Sequence, residues 1–363
     1  MFVLAIGLIT CCFFFEGLFR AGSRDPFSFH NQILVQFRKR KNPCLAMPDP
    51  ILGWRTEPNR LEKINSRFDA LSPTYVSTIA NGARSNGREQ RLESESIFIY
   101  GDSFTFGDEV NDWETWPASL QRRIGLDVYN FGACGFGLDQ SFLLLKTHLR
   151  VFSPKYVILS ITPDMIDRIQ RPYWMSSFFK KKIPKPFFRI KNNSLVLHGP
   201  EERAPNSELE RLDFFRNISG YSHFIDYVFR SINLKYWWGI SAHADFPKRD
   251  LTGENSLILA CSILNEMSQL LSRKNIKLFL VSQTYFREAQ EPNSKDHLVN
   301  LLLESCITTP TITAIPFSLF LNTLHQSHFS EYSSLFVRPK SHMSARGNEL
   351  VAEMVYNQLI QLK

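Results

Sequence analysis

The amino-acid sequence predicts a three-layer α/β/α fold built on a flavodoxin-like parallel sheet, and two observations predict it. From residue 96 onward, short and nearly all-apolar runs alternate with longer segments whose apolar residues fall at helical spacing, the pattern of strands buried on both faces and the helices that connect them. The turns after the first two runs are rich in glycine and small polar residues. In an open α/β sheet, the functional loops lie there, at the carboxyl ends of the strands.

Residues 97–100 (IFIY) form the first strand, ending in Gly101-Asp102-Ser103, and 113–124 (WETWPASLQRRI) the first helix. The second unit has 128–131 (VYNF) as its strand, a turn holding Gly132, Gly135 and Gly137, and 141–152 (SFLLLKTHLRVF) as its helix. Residues 155–161 (KYVILSI) make a third strand. The alternation breaks over about 170–250, where Pro-bounded stretches and the alternating 194–197 (SLVL), one arm of a hairpin, indicate an insertion rather than an independent domain. It resumes with a helix near 254–274, a strand at 276–281, a helix near 296–305, a strand at 311–315 and a last helix at 344–361. Upstream, polar and Pro-punctuated residues predict an irregular extension packed on the core. The expected organisation is a hydrophobic signal or anchor segment at 1–20, the extension at 21–95, and the α/β domain at 96–363.

The chain has 363 residues, 44% of them hydrophobic, so it buries a substantial core and disorder is excluded as its main state. Lys and Arg number 42 against 35 Asp and Glu, a net charge of +7. The basic residues are scattered, so nucleic acid is not an expected partner. The basic run at 180–191 reads as a solvated surface, with contact to an anionic membrane as the sharper alternative. The 31 Phe bring aromatics to 13%, which suits a large core or a glycan- or acyl-binding surface equally. Six cysteines, at 11, 12, 44, 134, 261 and 306, show no CxxC pair and no histidine at ligand spacing, so no metal is expected. Their wide spread predicts reduced thiols rather than a disulfide framework. The uncharged first fifteen residues (MFVLAIGLITCCFFF) read as a signal anchor or a cleaved signal peptide, although they fall short of the roughly 20 residues a bilayer crossing needs. Arg20, Arg24 and the basic 38–41 that follow would hold the next segment in the cytoplasm, a cue opposed to export.

Ser103 directly follows the first strand. A serine there can project its hydroxyl into the crevice, and the N–H groups of the turn can face a developing oxyanion. Asp102 is expected to cap or brace that turn. His342 lies at the entrance to the last helix, in Ser341-His342-Met343-Ser344.

These residues resemble, block by block and in order, the SGNH or GDSL-like hydrolase family. Gly101-Asp102-Ser103-Phe104 is similar to the first block, with Ser103 as nucleophile and oxyanion donor. Residues 130–140 (NFGACGFGLDQ) are similar to the second, in which Gly135 supplies another N–H. Residues 341–348 (SHMSARGN) are similar to the last, with His342 as general base. Residues 48–55, Pro58-Asn59 and Asn81-Gly82-Ala83-Arg84 are similar to the lead-in of a bacterial membrane-anchored subgroup, and 185–188 with 194–197 to its insertion. The resemblance implies a cofactor-free ester hydrolase acting on an acyl ester, often of a cell-envelope glycan, from an extracytoplasmic position. The alternatives it leaves open are an acyltransferase to a glycan hydroxyl and a degenerate protein that binds glycan or a partner. Two positions depart from the family. Pro339 and Lys340 stand where an acid usually precedes the histidine, and Pro163 stands where an Asn usually serves the oxyanion. His342 is then expected to be oriented by something weaker, such as a backbone carbonyl, with Asp164 and Asp167 the first acids to consider as replacements.

Overall fold

The computed structural model describes residues 2–22, 45–64, 74–87, 95–176, 181–199, 222, 224, 228, 254–286, 294–306, 311–338 and 341–361. The chain forms two compact units: one of residues 1–40, 175–184 and 201–246, the other of 41–174, 185–200 and 247–363.

The larger unit holds five parallel strands: β1 Ile97–Gly101, β2 Val128–Gly132, β3 Tyr156–Ile161, β4 Lys277–Ser282 and β5 Ile312–Ile315. Their order across the sheet is β5-β4-β3-β1-β2, the flavodoxin-like order. The strand order reverses beside β1, and that crevice is where such sheets place ligands.

Period-two alternation explains why the strands are apolar throughout. Ile97 and Ile99 of β1 join a core with Trp116 and Leu120 of the helix Trp116–Ile124 and with Val351 and Val355 of the helix Ala345–Ile360. Phe98 and Tyr100 turn to the opposite face, their rings 6.1 and 5.8 Å from the ring of His148 on the helix Leu138–His148. All four strand residues are at most 1% exposed, and each such burial contributes roughly 1.5–3 kcal/mol.

The expected helix at 113–124 begins later, because Thr115 caps it by accepting the Ala118 N–H (3.3 Å) and Asp112–Glu114 forms a separate 3₁₀ turn. Helices at Pro163–Arg168, Phe317–Ser327 and Phe329–Ser334 escaped the sequence reading. The last two have no side-chain cap, so no start signal marks them. The hairpin arm expected at 194–197 is present: Ser194–His198 pairs with Phe187–Lys191 through Asn192 and Asn193, both at positive φ as a tight hairpin turn requires. In the extension, Ala46–Asp49 pairs with Gly53–Thr56 and Leu61–Ile64 with Thr74–Ser77, so it is more regular than its sequence suggests.

Two expectations are corrected. Cys261 and Cys306 form a disulfide, and Cys134 is also disulfide-bonded, whereas Cys11 and Cys12 are free and exposed. The packing of the helices Glu254–Ser272 and Ser294–Cys306 brings the first pair to a Cα separation of 5.0 Å, which a spacing of 45 residues does not reveal. Lys185 is not part of a solvated face. It is wholly buried in an ion pair with Asp139, also wholly buried, because a charge taken from water needs a counter-charge.

In the smaller unit, Phe2–Gly22 is helical. Glu16, inside the apolar run, accepts from Arg20 (2.6 Å), from the Ser222 hydroxyl (2.7 Å) and from the Phe224 N–H (3.1 Å). Among the described residues, no helix is long and apolar enough to cross a membrane.

Candidate active site

Ser103 opens a four-residue helix, Ser103–Phe106, at the carboxyl end of β1. Asp102 caps it by accepting the Phe104 N–H (3.0 Å), and Gly107 closes it in the left-handed region at φ +83°. The turn presses against the end of β2, where only glycine fits at 132: a Cβ there would lie 2.3 Å from the Phe106 nitrogen.

His342 approaches from the far end of the sequence. Its loop is held by the Val337 N–H on the His342 carbonyl (3.0 Å) and by Ser344, whose hydroxyl accepts from the Gly347 N–H (3.2 Å) as the cap of the last helix. Asn348 then locks that helix to its neighbour by accepting the Trp116 N–H (3.0 Å). The outcome is a separation of 2.8 Å between Ser103 Oγ and His342 Nε2 across 239 residues of sequence.

The acid beside the histidine is Glu109. Its Oε2 lies 3.2 Å from His342 Nδ1 and accepts from the Ser341 hydroxyl (2.6 Å) and the His342 N–H (3.2 Å), while Oε1 takes Arg338 at 2.6 Å. Pro339 and Lys340 lie outside the described residues. Asp108 stands 4.0 Å from Nδ1. Burial raises the Glu109 carboxyl, but the hydrogen bonds from His342 and Ser341 outweigh it and bring the pKa down to about 2. Burial pulls His342 the other way, downward, and is outweighed by the Glu109 hydrogen bond and the Asp108, Glu109 and Asp102 charges, so the imidazole sits above its ordinary value. An ionised carboxylate at Nδ1 places the proton on that nitrogen and leaves Nε2 free to accept from the Ser103 hydroxyl.

The acids expected as replacements have other partners. Asp164 pairs with Arg168 (3.2 Å) and Asp167 with Arg171 (2.6 Å), each one helical turn away in Pro163–Arg168 and its continuation. Asp102 braces the turn as expected: besides its cap, its Oδ2 accepts from the Thr162 hydroxyl (2.7 Å) and Arg168 (3.1 Å).

Gly135 sits at φ +77° at the carboxyl end of β2, and a Cβ there would fall 2.4 Å from the Trp174 indole. Trp174 stacks on Trp54 (5.1 Å), whose indole N–H donates to the Cys134 carbonyl (2.9 Å). Arg168 bridges both sides of this region, donating to Asp102 and to the Phe136 carbonyl (2.9 Å). No described residue accepts from the N–H of Ser103 or of Gly135. Pro163 opens its helix and contributes no donor.

The sequence reading missed Glu109 and Arg168, and gave Arg84 no role beyond its place in the lead-in segment. For Glu109 the one available signal was the acidic pair Asp108-Glu109 in the loop immediately after the Ser103 turn. The family pattern directed attention to the histidine block instead.

No family model matches the chain, and no curated protein matches it. Among solved structures, a lipase/acylhydrolase from Enterococcus faecalis is similar with a TM-score of 0.41 and 9% identity, over 73% of this chain and 95% of its own. An acetyl xylan esterase is similar at 0.41 and 12%, over 73% and 99%. A GDSL-like lipase from Bacteroides thetaiotaomicron is similar at 0.38 and 10%, over 76% and 94%. Likenesses of that size leave function to be argued from the site's own geometry.

Proposed function

We propose that the chain is a serine ester hydrolase in which Ser103 is the nucleophile, His342 the general base and Glu109 the acid that orients it. The observation that carries this reading is the unbroken line from Ser103 Oγ to His342 Nε2 (2.8 Å) and from His342 Nδ1 to Glu109 Oε2 (3.2 Å). Ser103 Oγ bonds to the acyl carbonyl carbon as its proton passes to Nε2, and the N–H groups of Ser103 and Gly135 hold the resulting oxyanion. The tetrahedral species collapses by breaking the bond to the leaving alkoxide, which takes the proton from Nε2. Water then attacks the acyl-serine, giving its proton to Nε2; this second tetrahedral species collapses by breaking the bond to Ser103 Oγ, which takes the proton back from Nε2, and the acid leaves. Glu109 keeps its ionised form throughout and stabilises the imidazolium. The binding-only alternative drew on a missing acid and on Pro163 in place of an oxyanion Asn; Glu109 answers the first, and Pro163 contributes no donor.

The finer substrate, an acyl ester on a cell-envelope glycan, is carried by the resemblance of the sequence blocks alone. Export is supported by the Cys261–Cys306 disulfide, since such bonds persist in oxidising compartments. Membrane attachment through the apolar first fifteen residues belongs to the same reading. A reporter fused after Lys363 is expected to be active only outside the cytoplasm, and cytoplasmic activity would overturn the export.

The nucleophile is tested with a fluorophosphonate probe on the full chain. Labelling and hydrolysis of p-nitrophenyl acetate are expected to vanish in Ser103→Ala and to persist in Ser119→Ala and Ser160→Ala, both serines being at most 2% exposed. Labelling that survives Ser103→Ala removes the assignment.

A further inference from the structure

Glu109 occupies a loop with few backbone bonds of its own: the Gly107 and Asp108 N–H groups on the Ser103 carbonyl (2.9 and 3.1 Å) and the Val110 N–H on the Gly107 carbonyl (3.4 Å). Gly107 and Glu109 both adopt left-handed backbone, at φ +83° and +71°. Glycine does so freely; a residue with a Cβ does so when its surroundings enforce it. Around them, the Phe106 carbonyl takes only a long contact from the Asn130 amide of β2 and the Gly107 carbonyl only one from the Val110 N–H, both at 3.4 Å.

One side chain answers both, and the Val110 carbonyl with them. Arg84 is wholly buried, and its guanidinium donates to the Phe106 carbonyl (2.7 Å), the Gly107 carbonyl and the Val110 carbonyl (2.6 Å). Its Nε donates to Asp112 Oδ1 at 3.0 Å, so its four contacts lie on both sides of Glu109. Asp112 is fixed in turn by the Ser77 N–H (3.0 Å) and hydroxyl. Arg84 is itself pinned, through its own N–H, to the Asn130 carbonyl of β2 (2.8 Å), with its guanidinium carbon 4.8 Å from the Phe106 ring centre. Among the described residues no hydrogen bond joins Arg84 to Ser103 or His342; its guanidinium reaches Glu109 through the loop, and its backbone meets the Ser103 turn through Asn130, whose amide donates to the Thr105 carbonyl (2.8 Å). A planar fork of five donors suits three carbonyls and a carboxylate, and a lysine offers no such fork.

We propose that Arg84, contributed by the N-terminal extension, is the positioning residue that sets the Glu109 carboxylate against His342. The inference rests on the reading of Ser103, His342 and Glu109 as a triad, and a double-mutant cycle in the full chain separates the two. Hydrolysis of p-nitrophenyl acetate and thermal melting are measured for Glu109→Gln, Arg84→Lys and the double variant. Glu109→Gln is expected to lower kcat/KM by up to about 10⁴-fold. Arg84→Lys is expected to lower kcat roughly 10–100-fold with KM nearly unchanged, as loss of orientation does. In the Glu109→Gln background, Arg84→Lys is expected to add no further loss of rate while still lowering the melting temperature. If its full cost in rate appears again in that background, Arg84 is structural only and the proposal is overturned. If Glu109→Gln has no effect by itself, the triad reading falls first. Should Arg84→Lys not fold, Asp112→Asn, which keeps an acceptor for Nε but removes the charge, enters the same cycle under the same criteria.

Discussion

Ser103 is flanked by two regions built in opposite ways. On the His342 side, the working groups are side chains: an imidazole, a carboxylate held near pKa 2, and behind them the Arg84 guanidinium laid across three carbonyls. On the Gly135 side, the proposed groups are backbone N–H groups at glycine turns, with Trp174 packed on Gly135 and Arg168 bonded to the Phe136 carbonyl. In the proposed mechanism the first side governs a proton, which makes it sensitive to charge. The second governs an oxyanion, which makes it sensitive to shape.

The largest expected effect comes from the charged side. Glu109→Gln leaves the volume and removes the charge that stabilises the imidazolium, and an expected loss of up to about 10⁴ in kcat follows, with KM little changed. Steady-state kinetics on an activated ester checks it.

Gly135→Ala tests the shape-sensitive side. The added Cβ meets the Trp174 ring and must adopt a left-handed backbone, so the Gly135 N–H is displaced and kcat is expected to fall about 10²–10³-fold. If the two sides are distinct, the pH profile of this variant keeps its wild-type shape. A shifted profile would mean that the oxyanion side also sets the base.

The third prediction concerns pH. Catalysis needs neutral His342, and its pKa is raised, so the acid limb of kcat/KM is expected above the ordinary histidine value of about 6.5. Removing the Glu109 charge takes away part of what offsets burial, leaving the Asp108 and Asp102 charges, and the limb in Glu109→Gln should move to lower pH. Stability follows a separate window. Because the folded Glu109 pKa is depressed, its contribution is present above the ordinary carboxylate value and lost as pH falls toward about 2. Melting curves should therefore show less acid destabilisation in Glu109→Gln than in the parent.

The smallest effect on rate is expected far from both sides. Replacing Cys261 and Cys306 by serine should lower stability by about 4 kcal/mol, the chain-entropy value for a loop of this length, while kcat of the folded protein stays within twofold. Denaturant unfolding alongside activity measures both.

By itself, the sequence determined the alternation of strands and helices, because apolar runs and helical spacing are local patterns enforced by burial on both faces of the sheet. It also marked Ser103, Gly135 and His342, since each sits in a short block whose residue types and order are distinctive. What only the tertiary structure decided were the long-range pairings. Asp164 and Asp167 looked available until the helix following β3 paired them with Arg168 and Arg171, one turn along. Glu109 lies six residues past Ser103 in a loop with no strand, helix or motif to mark it, and its carboxylate acquires meaning only when the last loop of the chain brings His342 to 3.2 Å. Arg84 stands out in sequence only as the end of the segment Asn81-Gly82-Ala83-Arg84, with no role until folding buries it, and Lys185 reads as one more surface lysine until Asp139 meets it. Charge is uninformative in sequence because its worth depends on burial and on a partner, and both are set by contacts between residues far apart in the chain.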